Sequence, residues 1–394
     1  MTRDTKVGLA LSGGGTRAMA FHLGCLRALN DVGILGRVEV ISGVSGGSVA
    51  SALLARCSTF TEFEARMRMI LRRGLIWPAI GKLITTIEGG KALMCWAVVA
   101  PLNAVLGLLS FCIWIVSLCL KAEHRAKWRS AKLYSPVRRF ASRTTVLQRV
   151  FDEDVFEGCK LRELEKDKPL LIITAADLRT GSAFYFSPRN CGSWRLGQLA
   201  DTNVTVGFAV AASTAYPMAL PALDMVLPFD RKEGTRRTER VSLTDGGVYD
   251  NLGLAALWPD RDPEISLNVT VVDTIICCRA GYGPRFDPPS QMLLGRIKSA
   301  FFCTHDRTQN AATKRLFDLL EGGKLKGVLM PYLGQNDRRL KYPPENLVTR
   351  EETFAYPTDF FAMSEEWVEK LSLRGEQLTR ALLAEHLPHL LGEK

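Results

Sequence analysis

A serine flanked by glycines occupies the motif Gly43-Val44-Ser45-Gly46-Gly47, which follows the mostly apolar run 38–41. A serine hydroxyl is a weak nucleophile unless it is exposed on a sharp turn beside a base. In a G-x-S-x-G elbow a strand turns abruptly into a helix, and the glycines let neighbouring backbone pass close to the serine. The motif predicts that Ser45 is a nucleophile supported by its three glycines. An ordinary glycine-rich turn is the alternative, because the pattern also arises by chance.

A base for this serine is offered by Asp245-Gly246-Gly247, which ends the strand-like run 241–244. A carboxylate at the end of a strand can reach over the edge of a sheet and take the serine proton directly. The two glycines would leave room for that turn. Asp-Gly is also a common turn dipeptide, so this motif alone carries less weight than the serine elbow.

A third motif, Gly13-Gly14-Gly15, follows the short apolar strand 7–11 and precedes an amphipathic helix. Such a turn directs backbone N–H groups at an anion, with help from the helix N-terminus. The anion could be the oxyanion of a tetrahedral intermediate. Arg17 could add charge or brace the loop. Nucleotide binding is disfavoured, because no Gly-Lys-Ser/Thr follows and Ala18 stands where a dinucleotide motif has its third glycine.

Other titratable residues offer weaker alternatives. His305 follows both Ser45 and an acid along the chain, as the histidine of a Ser-acid-His triad would. Asp177 ends another apolar strand and is a lesser candidate for the base of Ser45. Asp250 and Asn251 follow Asp245 closely, and we expect them to brace its turn. No metal-ligand spacing and no glycosidase-like carboxylate pair is present, so no metal or cofactor is expected.

Taken in order, these motifs resemble the patatin-like phospholipase family. The family pattern is G-G-G-x-[RK]-G, then G-x-S-x-G, then an A-S-x-x-x-P block, then D-G-[AG]; this chain has its third block at 212–217. The resemblance covers about residues 7–255 and implies a three-layer α/β/α fold with a Ser–Asp dyad that needs no histidine. By it, Ser45 is the nucleophile, Asp245 is the general base, and the amides of residues 13–15 form the oxyanion hole. Ala18 departs from the family pattern, and the 200 residues between Ser45 and Asp245 indicate an insertion.

The elements that must position these residues alternate along the chain. Strands are predicted near 7–12, 38–42, 169–176, 183–187, 240–245 and 268–277, and helices near 16–32, 46–57, 61–73 and 203–214. This alternation favours an α/β fold with a mainly parallel central sheet covered on both faces. We expect an acylhydrolase domain at 7–260, a basic and apolar insertion at about 62–149, and a mostly helical C-terminal α/β extension, 261–394, packed on the core.

Composition indicates the size of the core and the cellular compartment. The chain has 394 residues, 47% of them hydrophobic, which suffices for a large core. Its ten cysteines form no C-x-x-C pair, which favours reduced thiols in a cytosolic compartment. The first residues lack the apolar core and cleavage site of a signal peptide. The formal net charge is +10.

Most of that charge brackets one apolar segment. Residues 121–149 hold nine basic and one acidic residue, net +8, whereas 92–120 hold no charged residue over 29 positions. A run of this length could cross a bilayer, and basic flanks suit an anionic cytoplasmic leaflet. Because Ser45 and Asp245 must lie on one side, we expect a re-entrant or monotopic hairpin that turns near Pro101. A buried helix pair is the alternative, and the apolar run disfavours nucleic-acid binding.

The sequence therefore predicts a membrane-associated serine acylhydrolase that degrades lipids by cleaving their carboxylic esters. It would be peripheral or monotopic on the cytoplasmic face of a membrane. Two alternatives stay open: a membrane-docked scaffold of the same fold with little turnover, and a Ser-His-Asp esterase that uses His305. The lipid headgroup, the ester position and the oligomeric state are not predicted.

Overall fold

The computed structural model describes residues 5–119, 133, 139–164, 169–201, 203–231, 233–283, 288, 290–354 and 356–391. The strands are β1 (Val7–Leu11), β2 (Val38–Val44), β3 (Leu170–Asp177), β4 (Ser182–Phe186), β5 (Gly192–Ser193), β6 (Gly197–Leu199), β7 (Leu223–Asp230), β8 (Arg236–Asp245), β9 (Thr274–Cys278) and β10 (Gly327–Leu329). The helices are α1 (Gly15–Asp31), α2 (Gly46–Arg56), α3 (Phe60–Arg73), α4 (Ile76–Thr85), α5 (Ile87–Leu118), α6 (Arg143–Val150), α7 (Val206–Ser213), α8 (Gly247–Asp250), α9 (Leu293–Glu321), α10 (Arg350–Thr353) and α11 (Glu365–His386).

All ten of these strands join one mixed sheet in the order β10-β9-β1-β2-β3-β4-β5-β6-β7-β8, and β8 also pairs with β3. The first five strands in that order are parallel. The remaining pairings, from β3 through β8, are antiparallel. The parallel part confirms the predicted α/β sheet, and the antiparallel part follows from the short connections between β3 and β6, which leave no room for a crossover helix.

Helices or packed loops cover both faces of the parallel strands. Alternate side chains of β1 enter two cores, with Leu9 and Leu11 on one face and Ala10 on the other. Helices α1, α2, α3, α7 and α11 contribute to the first core. Residues 252–258 and the C-terminal half of α9 contribute to the second. This arrangement confirms the predicted three-layer α/β/α fold with a helical C-terminal region.

The C-terminal residues are part of the same sheet. Strand β9 pairs with β1 at the centre, and β10 lies outside it. Helix α11 packs along α1, where its Gly375 lies so close that an added Cβ would be 2.2 Å from the carbonyl oxygen of Phe21. Residues beyond 260 therefore complete the layer that supports the strand before the Gly13–Gly15 loop.

The apolar insertion differs from the hairpin expected at 92–120. Helix α5 runs without a turn from Ile87 to Leu118, with Pro101 inside it, so the predicted turn is wrong. Proline removes one backbone donor and crowds one carbonyl, and long runs of Leu, Ala and Val on either side sustain the helix across it. Residues 120–132 and 134–138, which carry much of the predicted basic flank, lie outside the described residues.

Candidate active site

Ser45 lies at the turn between β2 and α2, as the elbow motif predicts. Its backbone adopts φ 51° and ψ −122°, a positive φ that costs a non-glycine residue energy and persists only where the surroundings impose it. Its carbonyl accepts the Ser48 amide at 2.8 Å and so begins α2. The Ser45 amide donates to the Ser213 hydroxyl at 3.0 Å. The strain is therefore held from both sides.

Two glycines of the elbow allow other backbone to pass at close range. A Cβ on Gly46 would lie 2.3 Å from the Gly15 carbonyl oxygen, and one on Gly47 would lie 2.1 Å from that of Leu11. Gly43 similarly faces α2, where a Cβ would meet the backbone of Gly47 at 2.6 Å. The elbow thus packs directly against the glycine-rich loop after β1, and larger residues cannot occupy these three positions without moving that loop or α2.

The carboxyl group of Asp245 reaches Ser45 from the end of β8. It accepts a hydrogen bond from the Gly247 amide at 2.7 Å, and the Ser45 side chain is near enough to help lower its pKa. Burial raises the pKa of Asp245 to about 6, and the Gly247 amide and the Ser45 side chain oppose the rise. A carboxyl with this pKa is mostly ionised at neutral pH and still basic enough to accept a proton.

The sheet register explains how residues 200 positions apart meet. Val44 pairs with Thr174 on β3, and the next residue of β3, Ala175, pairs with Asp245 on β8. Strand β3 therefore lies between the strand that leads to Ser45 and the strand that ends at Asp245. It holds the two residues at neighbouring positions along the same edge of the sheet. Gly246 follows at a point where a Cβ would lie 2.1 Å from the Thr174 carbonyl oxygen, so the turn after Asp245 needs glycine.

The segment 213–215 ties the two residues together. Its Ser213 hydroxyl donates to the Thr174 carbonyl at 2.7 Å while accepting the Ser45 amide. The Ala215 carbonyl accepts the Asp245 amide at 3.0 Å, and the Ser213 carbonyl accepts that of Gly246 at 3.3 Å. The sequence does not predict these contacts. The available signal was a lone hydroxyl ending an otherwise apolar buried helix, but its partner lies 168 positions away.

The glycine-rich loop before α1 faces the elbow, but it offers only some of the amides predicted as oxyanion donors. Gly14 and Gly15 have φ values of 145° and 60°, which glycine adopts readily, and among the described residues their amides have no hydrogen-bond acceptor. The Gly13 amide instead donates to the Asn251 carbonyl at 2.9 Å. The prediction that Gly13 supplies an oxyanion donor is therefore corrected: its amide anchors the loop to the chain after Asp245.

Arg17 braces this loop from α1. Its side chain donates from Nε to the Ala280 carbonyl at 3.1 Å, and its guanidinium lies 4.7 Å from the centre of the Tyr282 ring. The Nε2 atom of His22, another buried side chain, lies 2.9 Å from the Ser12 carbonyl oxygen. Of the two roles considered for Arg17, these contacts favour bracing of the loop.

The remaining candidates have other partners. His305 lies on α9, 3.0 Å from the Gln309 side chain, and burial lowers its pKa; no hydrogen bond joins it to Ser45 among the described residues. Asp177 accepts hydrogen bonds from residues 179, 180 and 242, and so closes a turn. Asp250 accepts the amides of residues 252 and 255. Asp245 is thus the carboxylate brought to Ser45, and Asp250 braces the turn that follows it.

Removing the Ser213 hydroxyl should slow the reaction without weakening substrate binding. In Ser213→Ala the buried Ser45 amide loses its acceptor and the elbow can relax, so we expect kcat to fall roughly 10- to 100-fold with little change in KM. Steady-state kinetics on a dissolved ester would measure both values.

Thr214→Val provides the matched control for Ser213→Ala. Thr214 is as buried as Ser213, and its hydroxyl bonds only to the Ala211 carbonyl, at 3.3 Å. This variant should lose comparable stability and keep its kcat. Equal kcat losses in the two variants would mean that Ser213 acts through general packing and does not position Ser45.

Among the described residues, no group of three or more His, Cys, Asp or Glu side chains is arranged to hold a metal ion. The arrangement is a strained serine, a buried carboxylate and a loop with two glycine amides. These groups can activate a hydroxyl, receive its proton and donate to a developing oxyanion, which are the requirements of acyl transfer.

The chain is similar to several known proteins. A family model described as patatin-like phospholipase matches residues 9–258. A patatin-like phospholipase domain-containing protein of Aspergillus oryzae is 38% identical over 96 residues, which are 24% of this chain and 12% of that protein. The structure of human GIVD cytosolic phospholipase A2 aligns with a TM-score of 0.50 at 12% identity, over 99% of this chain and 60% of the human one. VipD from Legionella pneumophila aligns with a TM-score of 0.37 at 13% identity, over 97% of this chain and 67% of that chain.

Proposed function

Because this chain belongs to the patatin-like phospholipase family, a family of lipid ester hydrolases, we propose that it is a serine acylhydrolase that cleaves carboxylic esters of membrane lipids. One observation carries the proposal: Ser45, held in a strained turn, lies beside the buried carboxyl group of Asp245 and helps to lower the pKa of that carboxyl. A structural serine would have no need of that strain or of a buried base. The residues that form this site all lie within the region 9–258 that the family model matches.

In the proposed cycle, Asp245 accepts the Ser45 hydroxyl proton as the serine oxygen attacks the ester carbonyl carbon. The amides of Gly14 and Gly15, at the N-terminus of α1, stabilise the oxyanion that forms. Asp245 then returns the proton to the departing alcohol, which leaves an acyl group on Ser45. Water then attacks that acyl group as Asp245 takes its proton, and Asp245 returns this proton to the Ser45 oxygen as the fatty acid leaves. Each step uses only side chains and amides of this chain.

We also propose that α5 associates with a lipid bilayer. By length and composition this helix could cross a membrane, and among the described residues no other helix meets the same criteria. Its base packs on the domain through a few small or short side chains, including Ala92 and Cys95, while Trp96 and Leu108 are 73% and 65% exposed. So much exposed apolar surface is costly in water. We propose further that the protein lies on the cytoplasmic face of that membrane.

Release of free fatty acid from phosphatidylcholine vesicles tests the proposed function. Purified protein should release fatty acid in the presence of a metal chelator, and the phosphate-containing product should keep its headgroup. Release of phosphate or of the headgroup alone would indicate cleavage of a different bond. If no product forms although the protein is folded and vesicle-bound, the scaffold alternative becomes the better account.

The same assay should depend on pH through Asp245. The base acts only when ionised, and its pKa is about 6, so kcat/KM should be level above pH 7 and fall about tenfold per unit below pH 6. Rates measured on a dissolved short-chain ester would separate this effect from changes in the vesicles. A profile that stays flat down to pH 5, or that falls as pH rises from 5 to 7, would contradict Asp245 as the base.

A further inference from the structure

Helix α9 has two halves with different surroundings. From Gln309 onward it packs on the domain, with Leu316 and Leu319 in the second core and the Gln309 side chain accepting a hydrogen bond from Asn251 at 3.2 Å. Residues 293–308 include no fully buried side chain, although His305, next to the packed half, is half-buried. At 1.5 Å per residue, these sixteen residues extend about 24 Å along the helix beyond the packed half. We refer to residues 292–302 as the arm.

The direction of α9 places the arm at the same edge of the sheet as Ser45. The helix leads into β10, and just before that strand the Lys326 amide bonds to the Asp273 carbonyl, next to the amino end of β9. Strands β9 and β10 are parallel, so the N-terminal end of α9 points past their carboxyl ends. The contact between Gln309 and Asn251 agrees with this, because the Asn251 carbonyl accepts the Gly13 amide of the loop that faces Ser45.

The arm has the composition of a helix that lies in a membrane interface. Its large exposed apolar side chains are Met292, Leu293, Leu294, Ile297 and Phe302. Its two charged side chains are both basic, at positions 296 and 298, and no carboxylate occurs between 288 and 305. Exposed apolar side chains mixed with cations are typical of helices that insert shallowly among anionic headgroups.

The insertion that carries α5 joins the domain at this edge as well. The Leu75 amide, just before α4 and α5, donates to the Phe360 carbonyl at 2.9 Å, and the neighbouring Asp359 carbonyl accepts the Thr16 amide at 2.8 Å. Thr16 directly follows Gly15, so the root of the insertion lies beside the glycine-rich loop. The arm and the root of the insertion, which come from distant parts of the sequence, therefore lie around one site.

We propose that the arm is a second lipid-docking element, which binds an anionic bilayer and, together with α5, holds the Ser45 edge of the domain against the lipid surface. The occupant is an anionic lipid bilayer because the arm carries only positive charge and adjoins a site proposed to act on lipid. The purpose of docking rests on the proposed function, whereas the binding of the arm to a bilayer does not. Substrate would then reach Ser45 from the bilayer without crossing bulk water.

Vesicle sedimentation of the full chain tests the arm, using Leu294→Glu/Ile297→Glu as the disrupting variant. The matched control is Ile265→Glu/Val271→Glu, since these side chains are 54% and 66% exposed and Val271 lies close to the amino end of β9, opposite the arm. The arm variant should bind vesicles of phosphatidylcholine and phosphatidylserine at least roughly tenfold more weakly than wild type, and the control variant should bind normally. Equal binding by wild type and the arm variant would overturn the proposal.

A second variant, Arg296→Gln/Lys298→Gln, tests the anionic partner. It should lose roughly tenfold of the preference for vesicles that contain phosphatidylserine over pure phosphatidylcholine. An unchanged preference would overturn the assignment of an anionic surface to the arm. The arm could instead bind a second copy of this chain, and light scattering without vesicles measures this. If wild type is a dimer and the Leu294→Glu/Ile297→Glu variant is a monomer, the proposal is also overturned.

Hydrolysis of a dissolved short-chain ester separates this inference from the proposed function. The arm variant should hydrolyse that ester at the wild-type rate while losing activity on vesicles in proportion to binding. If wild type hydrolyses neither substrate but the arm variant still loses vesicle binding, docking by the arm stands and the proposed function fails. Loss of activity on the dissolved ester in the arm variant would contradict a docking role.

Discussion

Replacing Ser45 with alanine should lower kcat by about 10⁴-fold or more, to the background of the assay. The change removes the oxygen that forms the acyl-enzyme and leaves the strained turn with a residue that adopts it no more easily. Hydrolysis of a medium-chain ester in the same detergent, with a metal chelator present, measures the loss.

A neighbouring serine provides the control for Ser45→Ala. Ser51 is fully buried one turn and a half along α2, and its hydroxyl bonds to the Ser48 carbonyl at 3.2 Å. Ser51→Ala removes a buried hydroxyl from the same helix and should keep kcat within about threefold of wild type. If Ser45→Ala and wild type hydrolyse the ester equally fast, Ser45 is a turn residue and the proposed mechanism is wrong.

Replacing Asp245 with asparagine should lower kcat by about 10²- to 10⁴-fold, the usual contribution of a general base. Asparagine keeps the size of the side chain and an oxygen for the Gly247 amide, but it cannot take the Ser45 proton. Because burial raises the pKa of Asp245 to about 6, its carboxylate opposes folding above that pH and does not do so below about pH 4. The variant should therefore be at least as stable as wild type at pH 7.5, as urea unfolding would measure.

Asp177→Asn is the matched control for Asp245→Asn. Asp177 is also a buried carboxylate at a strand end, but its hydrogen bonds close the turn at 179–180. We expect this variant to lose stability and to keep kcat within a few-fold of wild type. The opposite pattern, with activity lost in Asp177→Asn and kept in Asp245→Asn, would transfer the role of base to Asp177.

The sequence predicted the parts of the site that depend on local backbone. Strand, glycine and helix follow one another at Ser45 and at residues 13–15, and each pattern constrains its own turn. The contacts between turns were less predictable. That the Gly13 amide is taken by Asn251 and the Ser45 amide by Ser213 depends on sheet order and on β8 folding back on β3, which no local pattern records.

The fold shows the same division. Strands β1, β2 and β3 were predicted within two residues of their ends because they are mostly apolar and, apart from Glu39, buried on both faces. Strand β7 was missed, since its side chains are mostly half-buried or exposed and give no clear alternation. Helix α5 was predicted as apolar but with a turn at Pro101, because a proline within a helix is tolerated or not according to its surroundings.

Covalent trapping of the nucleophile tests the central claim most directly. The wild-type protein would be treated with a serine-directed phosphonate that carries a long alkyl chain, and the modified residue would be located by peptide mass spectrometry. The account predicts one phosphonate per chain, attached to Ser45, with hydrolysis lost in proportion to labelling and with slower labelling in Asp245→Asn. Hydrolysis that continues while Ser45 stays unmodified, or loss of activity through a label on another residue, would contradict it.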